Sequence, residues 1–182
     1  NYAILPCGTD THTFFELPKD EARNDLGWEQ MGNTYYLPVH LRISKNYALA
    51  QKAVTLVNGC QLIELKGYDR VQVNLLMNAC DCLLMTSDKE ASPMVIKEAM
   101  LCGCPIISVD VGDVKDMISG IVGCFIARRE PEDIADKLLH IFELRERTDG
   151  RNRIIQSGLD LSDIARRIQT IYEDVYKIHA RK

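Results

Sequence analysis

Two glutamates eight residues apart, Glu90 and Glu98, flank the start of a predicted helix and are the side chains best placed to do chemistry. Ser92 is of a type that caps helices, and Pro93 suits the first helical position, where a missing amide hydrogen costs nothing. The backbone amides that follow have no partner inside the helix and lie at the positive end of its dipole. They belong to Met94, Val95 and Ile96. This arrangement can hold a phosphate without a charged side chain.

A purely structural interpretation of the same segment remains open. The predicted helix ends at Gly103 and Pro105, residues that commonly terminate helices, and its interior is apolar except at Lys97 and Glu98. These two residues could form a solvated pair on a half-buried helix. The residue types alone do not separate that arrangement from a phosphate site.

Short apolar strands alternate with helices along the chain. An almost continuous apolar run at residues 81–86 is typical of a strand covered on both faces, as in a parallel sheet. The predicted strands cover residues 34–41, 60–65, 81–86, 105–109 and 121–126. The predicted helices cover residues 20–26, 47–58, 71–79, 114–118, 131–144, 148–157 and 161–178, with Asp20 and Asp113 as caps. We therefore predict a doubly wound, mostly parallel α/β sheet whose carboxyl edge carries the two glutamates.

Residues 90–105 resemble the signature of retaining glycosyltransferases of the GT-B fold, group 1 type. The shared features are a glutamate, a small residue, a proline, a second glutamate eight positions after the first, and a Gly-x-Pro exit. Residues 1–15 resemble the interdomain segment of that family. The resemblance implies that residues 1–182 form the Rossmann-like C-terminal half of such an enzyme. The helix at 161–178 would pack partly on an N-terminal domain outside this chain.

The resemblance also implies roles for individual residues. In this family the helix start faces the diphosphate and sugar of the donor, which assigns sugar contact near the reacting carbon to Glu90 and ribose binding to Glu98. The donor phosphates would contact Arg42, Lys45, Ser92 and the amides of Met94, Val95 and Ile96. The nucleobase would lie against Lys66, Gly67 and Tyr68.

Several of these positions have a structural alternative. Ala91 replaces the usual glycine of the family, which would cost affinity if that position needs a positive φ. The gap between Arg42 and Lys45 is shorter than usual, and both could be solvated loop cations. Tyr68 could equally be a surface aromatic residue, and we expect His40 to be a surface histidine at a strand end.

Composition excludes several classes of protein. The net charge of −4 argues against a nucleic-acid surface, and no apolar run approaches the length of a membrane-spanning helix. Seven cysteines, mostly in apolar runs, favour reduced, buried thiols in a cytoplasmic protein. Cys80 with Cys82, and Cys102 with Cys104, lack the spacing of zinc knuckles, so we expect no metal site.

The combined prediction is the donor domain of a hexosyltransferase-type enzyme. It would bind a UDP- or GDP-sugar without a metal or other cofactor, and the sugar would pass to an acceptor hydroxyl with retention. The chain alone would bind nucleotide weakly and transfer no sugar, because the acceptor site, and any peripheral membrane contact, would belong to the N-terminal domain. Two alternatives are another GT-B enzyme, such as a nucleotide-sugar epimerase or glycan phosphorylase, and a flavodoxin-like interaction module.

Overall fold

The computed structural model describes residues 5–28, 34–39 and 45–180, with side chains up to residue 177. Within these residues the chain forms five strands and eight helices. The strands are β1 Tyr35–Val39, β2 Cys60–Glu64, β3 Leu83–Met85, β4 Ile106–Val109 and β5 Cys124–Ala127. The helices are α1 Lys19–Asp25, α2 Tyr47–Thr55, α3 Arg70–Ala79, α4 Met94–Leu101, α5 Val114–Ile118, α6 Pro131–Leu144, α7 Gly150–Gln156 and α8 Leu161–Ala180.

The strands are parallel, as the apolar runs predicted. β1 pairs with β2, and β4 lies between β3 and β5. These two groups of strands are adjacent, since β1 lies beside β3. The Asp81 amide, just before β3, donates to the Tyr36 carbonyl of β1 at 2.9 Å. The strand order is therefore 2-1-3-4-5, and the alternating, doubly wound α/β fold is confirmed.

Helices cover the sheet and enclose the core. α2 packs against α6, while α3 contacts α1 and α4, and α4 contacts α7. All side chains of β3 and β4 are buried. Because strands covered on both faces need apolar residues throughout, the continuous apolar runs at these positions follow directly from the fold.

The predicted ends of several elements were wrong. α1 begins after Pro18, so Asp20 lies inside its first turn instead of capping it. Asp113 occupies the cap position of α5 but makes no capping hydrogen bond with its side chain. β5 begins at Cys124, because residues 122 and 123 form a turn in which Gly123 has a φ of +80°. His40 and Arg42 lie outside the described residues.

Candidate functional site

Residues just before α2 meet the loop that follows β3 at the carboxyl edge of the sheet. Lys45, which lies just before α2, forms an ion pair with Glu90 in the loop between β3 and α4. Their side chains are 24% and 14% exposed, so the pair is largely shielded from water. The structure thus brings together a predicted phosphate ligand and the predicted sugar contact.

The start of α4 lies beside this pair in the chain and presents open donors. α4 begins at Met94, and Pro93 occupies its cap position, so the prediction that Ser92 caps the helix was wrong. The Ser92 hydroxyl oxygen is buried and has no hydrogen-bond partner among the described residues. The Ile96 amide donates to the Pro93 carbonyl at 3.2 Å. Among the described residues, the amides of Met94 and Val95 have no such partner and are open donors of the first turn.

A close backbone contact shapes the loop before α4. Gly112 has a φ of +58°, and a Cβ atom there would lie 2.4 Å from the Ala91 carbonyl oxygen. The Asp113 amide donates to the same oxygen at 3.1 Å. Position 112 therefore requires glycine. Ala91 itself does not have a positive φ, so its side chain causes no backbone strain where the family has glycine.

Glu98 is a carboxylate whose acceptors are unused. Its side chain is partly buried and accepts no hydrogen bond among the described residues. Burial raises the pKa of this carboxyl, and the nearby charge of Arg70 opposes that rise. The Arg70 guanidinium also lies 4.0 Å from Asp10 and over the ring of Phe14. Glu98 can therefore accept hydrogen bonds from a ligand without losing any in the fold.

Lys97 does not belong to this surface. Its side chain is fully buried, and its ammonium donates to the Cys7 carbonyl at 2.7 Å. It therefore cannot form the solvated pair with Glu98 that the sequence left open. That alternative was wrong, because Lys97 instead connects α4 to the segment at residues 5–10.

Residues 40–144 match the family described as Glycosyl transferases group 1, and this stretch is more than half of the chain. The chain belongs to this family. Membership confirms the resemblance of residues 90–105 and removes the flavodoxin-like interaction module as an alternative.

This group 1 domain is similar in sequence or in structure to several known proteins. The sequence is 29% identical over 107 residues to N-acetyl-alpha-D-glucosaminyl L-malate synthase of Bacillus anthracis, covering 56% of this chain and 28% of that protein. Sucrose-phosphate synthase of Thermosynechococcus elongatus has a TM-score of 0.86 at 18% identity over 97% of this chain and 53% of that one. Anabaena HepE in complex with UDP-glucose has a TM-score of 0.73 at 18% identity over 94% and 57%.

A separate domain structure matches most of its own length. The C-terminal domain of LpcC, a group 1 family protein of Francisella tularensis, has a TM-score of 0.64 at 17% identity over 82% of this chain and 97% of that domain. The chain therefore has the fold of one half of a GT-B glycosyltransferase, and it spans about half of the sucrose-phosphate synthase and HepE chains.

The structure of the turn after β2 is compatible both with contact to a nucleobase and with a surface aromatic residue at Tyr68. Gly67 has a φ of +81° and open space around it, and Tyr68 is 41% exposed. Asp69 and Gln72 form a reciprocal capping box at the start of α3, which the sequence-based reasoning missed. The assignment of Lys66, Gly67 and Tyr68 to the nucleobase stays a prediction.

Sequence reasoning also missed Arg129, which follows β5 and contacts the loop after β3. Its position just beyond a strand at the carboxyl edge was the available signal. Within the described residues no group of three or more His, Cys, Asp or Glu side chains could hold a metal ion. None of the helices in this part of the chain has the length and apolar content needed to span a membrane.

Proposed function

We propose that this group 1 domain binds the nucleoside-diphosphate sugar of a retaining hexosyltransferase. The observation that carries the proposal is the arrangement at the start of α4. The amides of Met94 and Val95, which are open among the described residues, follow the loop in which Glu90 pairs with Lys45, and one turn later the Glu98 carboxylate accepts no hydrogen bond in this part of the chain. Each group matches one part of the donor.

The diphosphate would bind the positive groups. Fixed amide dipoles and the Lys45 ammonium stabilise the negative charge that develops on a departing diphosphate. Arg42, three residues before Lys45 in the sequence and outside the described residues, is proposed as a second cation. These groups would fill the role that a metal ion has in other transferases. Because Lys45 is paired with Glu90 in the structure, donor binding would exchange one anionic partner for another.

The sugar and ribose would bind the two glutamates. Glu90, in the loop between β3 and α4, would lie near the reacting carbon of the sugar, where its carboxylate would stabilise a cation-like sugar. Glu98 would accept hydrogen bonds from the ribose hydroxyls, which offsets the cost of keeping its charge partly buried. The turn at residues 66–68 would lie against the base.

UDP is the first nucleotide to test, with GDP as the alternative. HepE, which shares this fold, is known in complex with UDP-glucose. The acceptor site would belong to an N-terminal domain, against which α8 would pack. α8 carries exposed apolar side chains that suit such a contact, including Ile168, Tyr172 and Tyr176. The chain alone would bind nucleotide weakly and transfer no sugar. Other GT-B activities, epimerase or phosphorylase, stay open as alternatives.

Isothermal titration of the chain with UDP and with GDP, with and without magnesium, tests the proposal. We expect metal-independent binding of one of them. Lys45→Met should weaken that binding by about 1–2 kcal/mol, because a charge-assisted hydrogen bond to phosphate is lost. The control Lys52→Met removes an exposed lysine from α2 and should leave the affinity unchanged. Absence of heat with both nucleotides, or an absolute need for magnesium, would contradict the proposal.

A further inference from the structure

Arg129 joins the exits of β5 and β3. Its Nη2 donates to the Ser87 carbonyl at 2.9 Å, and its Nη1 donates to Asp88 Oδ1 at 3.1 Å. A longer contact of 3.5 Å reaches the Thr86 carbonyl. The planar guanidinium therefore holds consecutive residues of the loop that leads to Glu90, a task suited to its fork of donors.

The same loop is tied on its other side to the exit of β1. The buried Thr86 hydroxyl donates to the carbonyls of Lys45 and Asn46, at 2.9 and 3.0 Å. The Asn46 side-chain amide donates at 3.0 Å to Asp88 Oδ1, the oxygen that Arg129 also contacts. Asn46 precedes α2 with a φ of 49°, a left-handed conformation that costs free energy and needs local support.

These contacts form one connected set from Arg129 to Lys45. Arg129 fixes Asp88 and the carbonyl of Ser87, while Asp88 and Thr86 together fix Asn46. Lys45 lies next to Asn46 in the chain, and its ammonium reaches Glu90 from there. The contacts of Arg129, which follows the last strand of the sheet, are thus connected through Asp88 and Asn46 to the position of the Lys45 side chain.

We propose that Arg129 is a positioning residue for donor binding. It holds the loop at residues 86–88 in place, and this loop in turn positions Lys45 and Glu90 through Asp88 and the Thr86 hydroxyl. Arg129 does not itself touch the donor. The inference rests on the proposed function, since it concerns the same site. Arg128 provides a matched comparison: its guanidinium binds Asp133 and Glu130 on the outer surface, and its side chain is 70% exposed.

The test measures UDP affinity of the 182-residue chain in a double-mutant cycle. Arg129→Ala should weaken UDP binding by about three- to tenfold, a size typical of coupled neighbours. In a Lys45→Met background the same substitution should have less than about a twofold effect, because its target is gone. Arg129→Lys should recover little affinity, since an ammonium keeps the charge but loses the fork. Arg128→Ala should leave affinity unchanged.

Hydrogen exchange of the unliganded variants supplies an independent readout. In Arg129→Ala the amides of residues 45–47 and 87–90 should exchange faster, while those of α6 and α7 should not change. An equal loss of affinity in both backgrounds, full recovery by Arg129→Lys, or unchanged exchange in these loops would overturn the positioning role. A wild-type chain that binds neither UDP nor GDP overturns the proposed function itself, whereas binding that Arg129→Ala leaves intact overturns the role of Arg129 alone.

Discussion

The two edges of the parallel sheet differ in how completely their polar side chains are hydrogen-bonded within the described residues. At the amino edge, Asp81 accepts from the amide of Tyr36 and pairs with Lys19 and Arg23. Arg147 donates to three carbonyls there, those of Met77, Cys80 and Cys102. At the carboxyl edge, the Ser92 hydroxyl and the Glu98 carboxylate make no hydrogen bond among the described residues.

This difference separates polar groups that hold the fold from polar groups available to a ligand. Saturated networks stabilise and give nothing to a ligand, whereas unused donors and acceptors cost stability unless a ligand satisfies them. The cysteine thiols at the amino ends of the strands are equally inert, because burial raises the pKa of Cys82, Cys104 and Cys124. Burial raises the pKa of Cys124 to about 12, so its thiolate is scarce at neutral pH.

The largest predicted change is a loss of stability caused by a substitution at the amino edge of the sheet. Asp81→Ala removes the common acceptor of two cations and one backbone amide, and we expect a loss of about 2–4 kcal/mol in the free energy of unfolding. UDP affinity of the folded variant should not change. Urea denaturation measures the first quantity and calorimetry the second. The control Asp81→Asn keeps an acceptor for the Tyr36 amide and should lose less. A change below about 1 kcal/mol for Asp81→Ala would show that this network does not hold the edge together.

At the carboxyl edge, Glu98→Ala should instead change UDP affinity. We expect UDP binding to weaken by about 1–3 kcal/mol, because hydrogen bonds between the ribose and a charged acceptor are lost. Glu143→Ala, at an exposed glutamate of α6, is the matched control. Unchanged affinity in Glu98→Ala would return Glu98 to a structural role.

The pKa of Glu98 adds a stability test with a definite sign. Burial raises this pKa in the folded chain above the ordinary value of 4.5, so the folded state disfavours the ionised form. Below pH 4.5 the carboxyl is protonated in both states and costs nothing. As the pH rises from there to the folded pKa, wild type should lose stability relative to Glu98→Gln, and the deficit should then persist at neutral pH. Parallel pH-dependent unfolding of the two chains measures it, and wild type as stable as the variant at neutral pH would contradict it.

The sequence predicts features that depend on neighbouring residues better than it predicts contacts between distant ones. The alternation of parallel strands with helices, and the helix that follows Glu90 and carries Glu98, were predictable, because apolar runs and helix-ending residues act over a few positions. The burial of Lys97 was not, since its acceptor at Cys7 lies 90 residues away and charges are usually exposed. The contact of Arg129 with Asp88, across 41 residues, was hidden for the same reason.

Glu90→Gln should have a smaller effect, and it should favour binding. The substitution releases Lys45 from its ion pair. It also removes a negative charge next to the position proposed for the diphosphate. We expect UDP affinity to rise by about 0.5–1 kcal/mol, the size of a partly shielded charge interaction. Calorimetry at low and moderate salt measures the gain, which should shrink as salt screens the charges. A fall in affinity would mean that Glu90 orders the site more than it competes for Lys45.

Ala91→Gly should have the smallest effect, although it restores the residue that the family usually has. Ala91 needs no positive φ, and its side chain is exposed, so glycine would relieve no strain there. Glycine instead adds freedom to the unfolded chain, which should lower the free energy of unfolding by about 0.4–1 kcal/mol. UDP affinity should stay within about twofold, because the close contact in this loop is made by the Ala91 carbonyl with Gly112 and involves no methyl group. Thermal unfolding and titration measure the two effects. A clear gain in affinity would show that the methyl group restricts the donor, and the carboxyl edge would then be less open than its unused polar groups indicate.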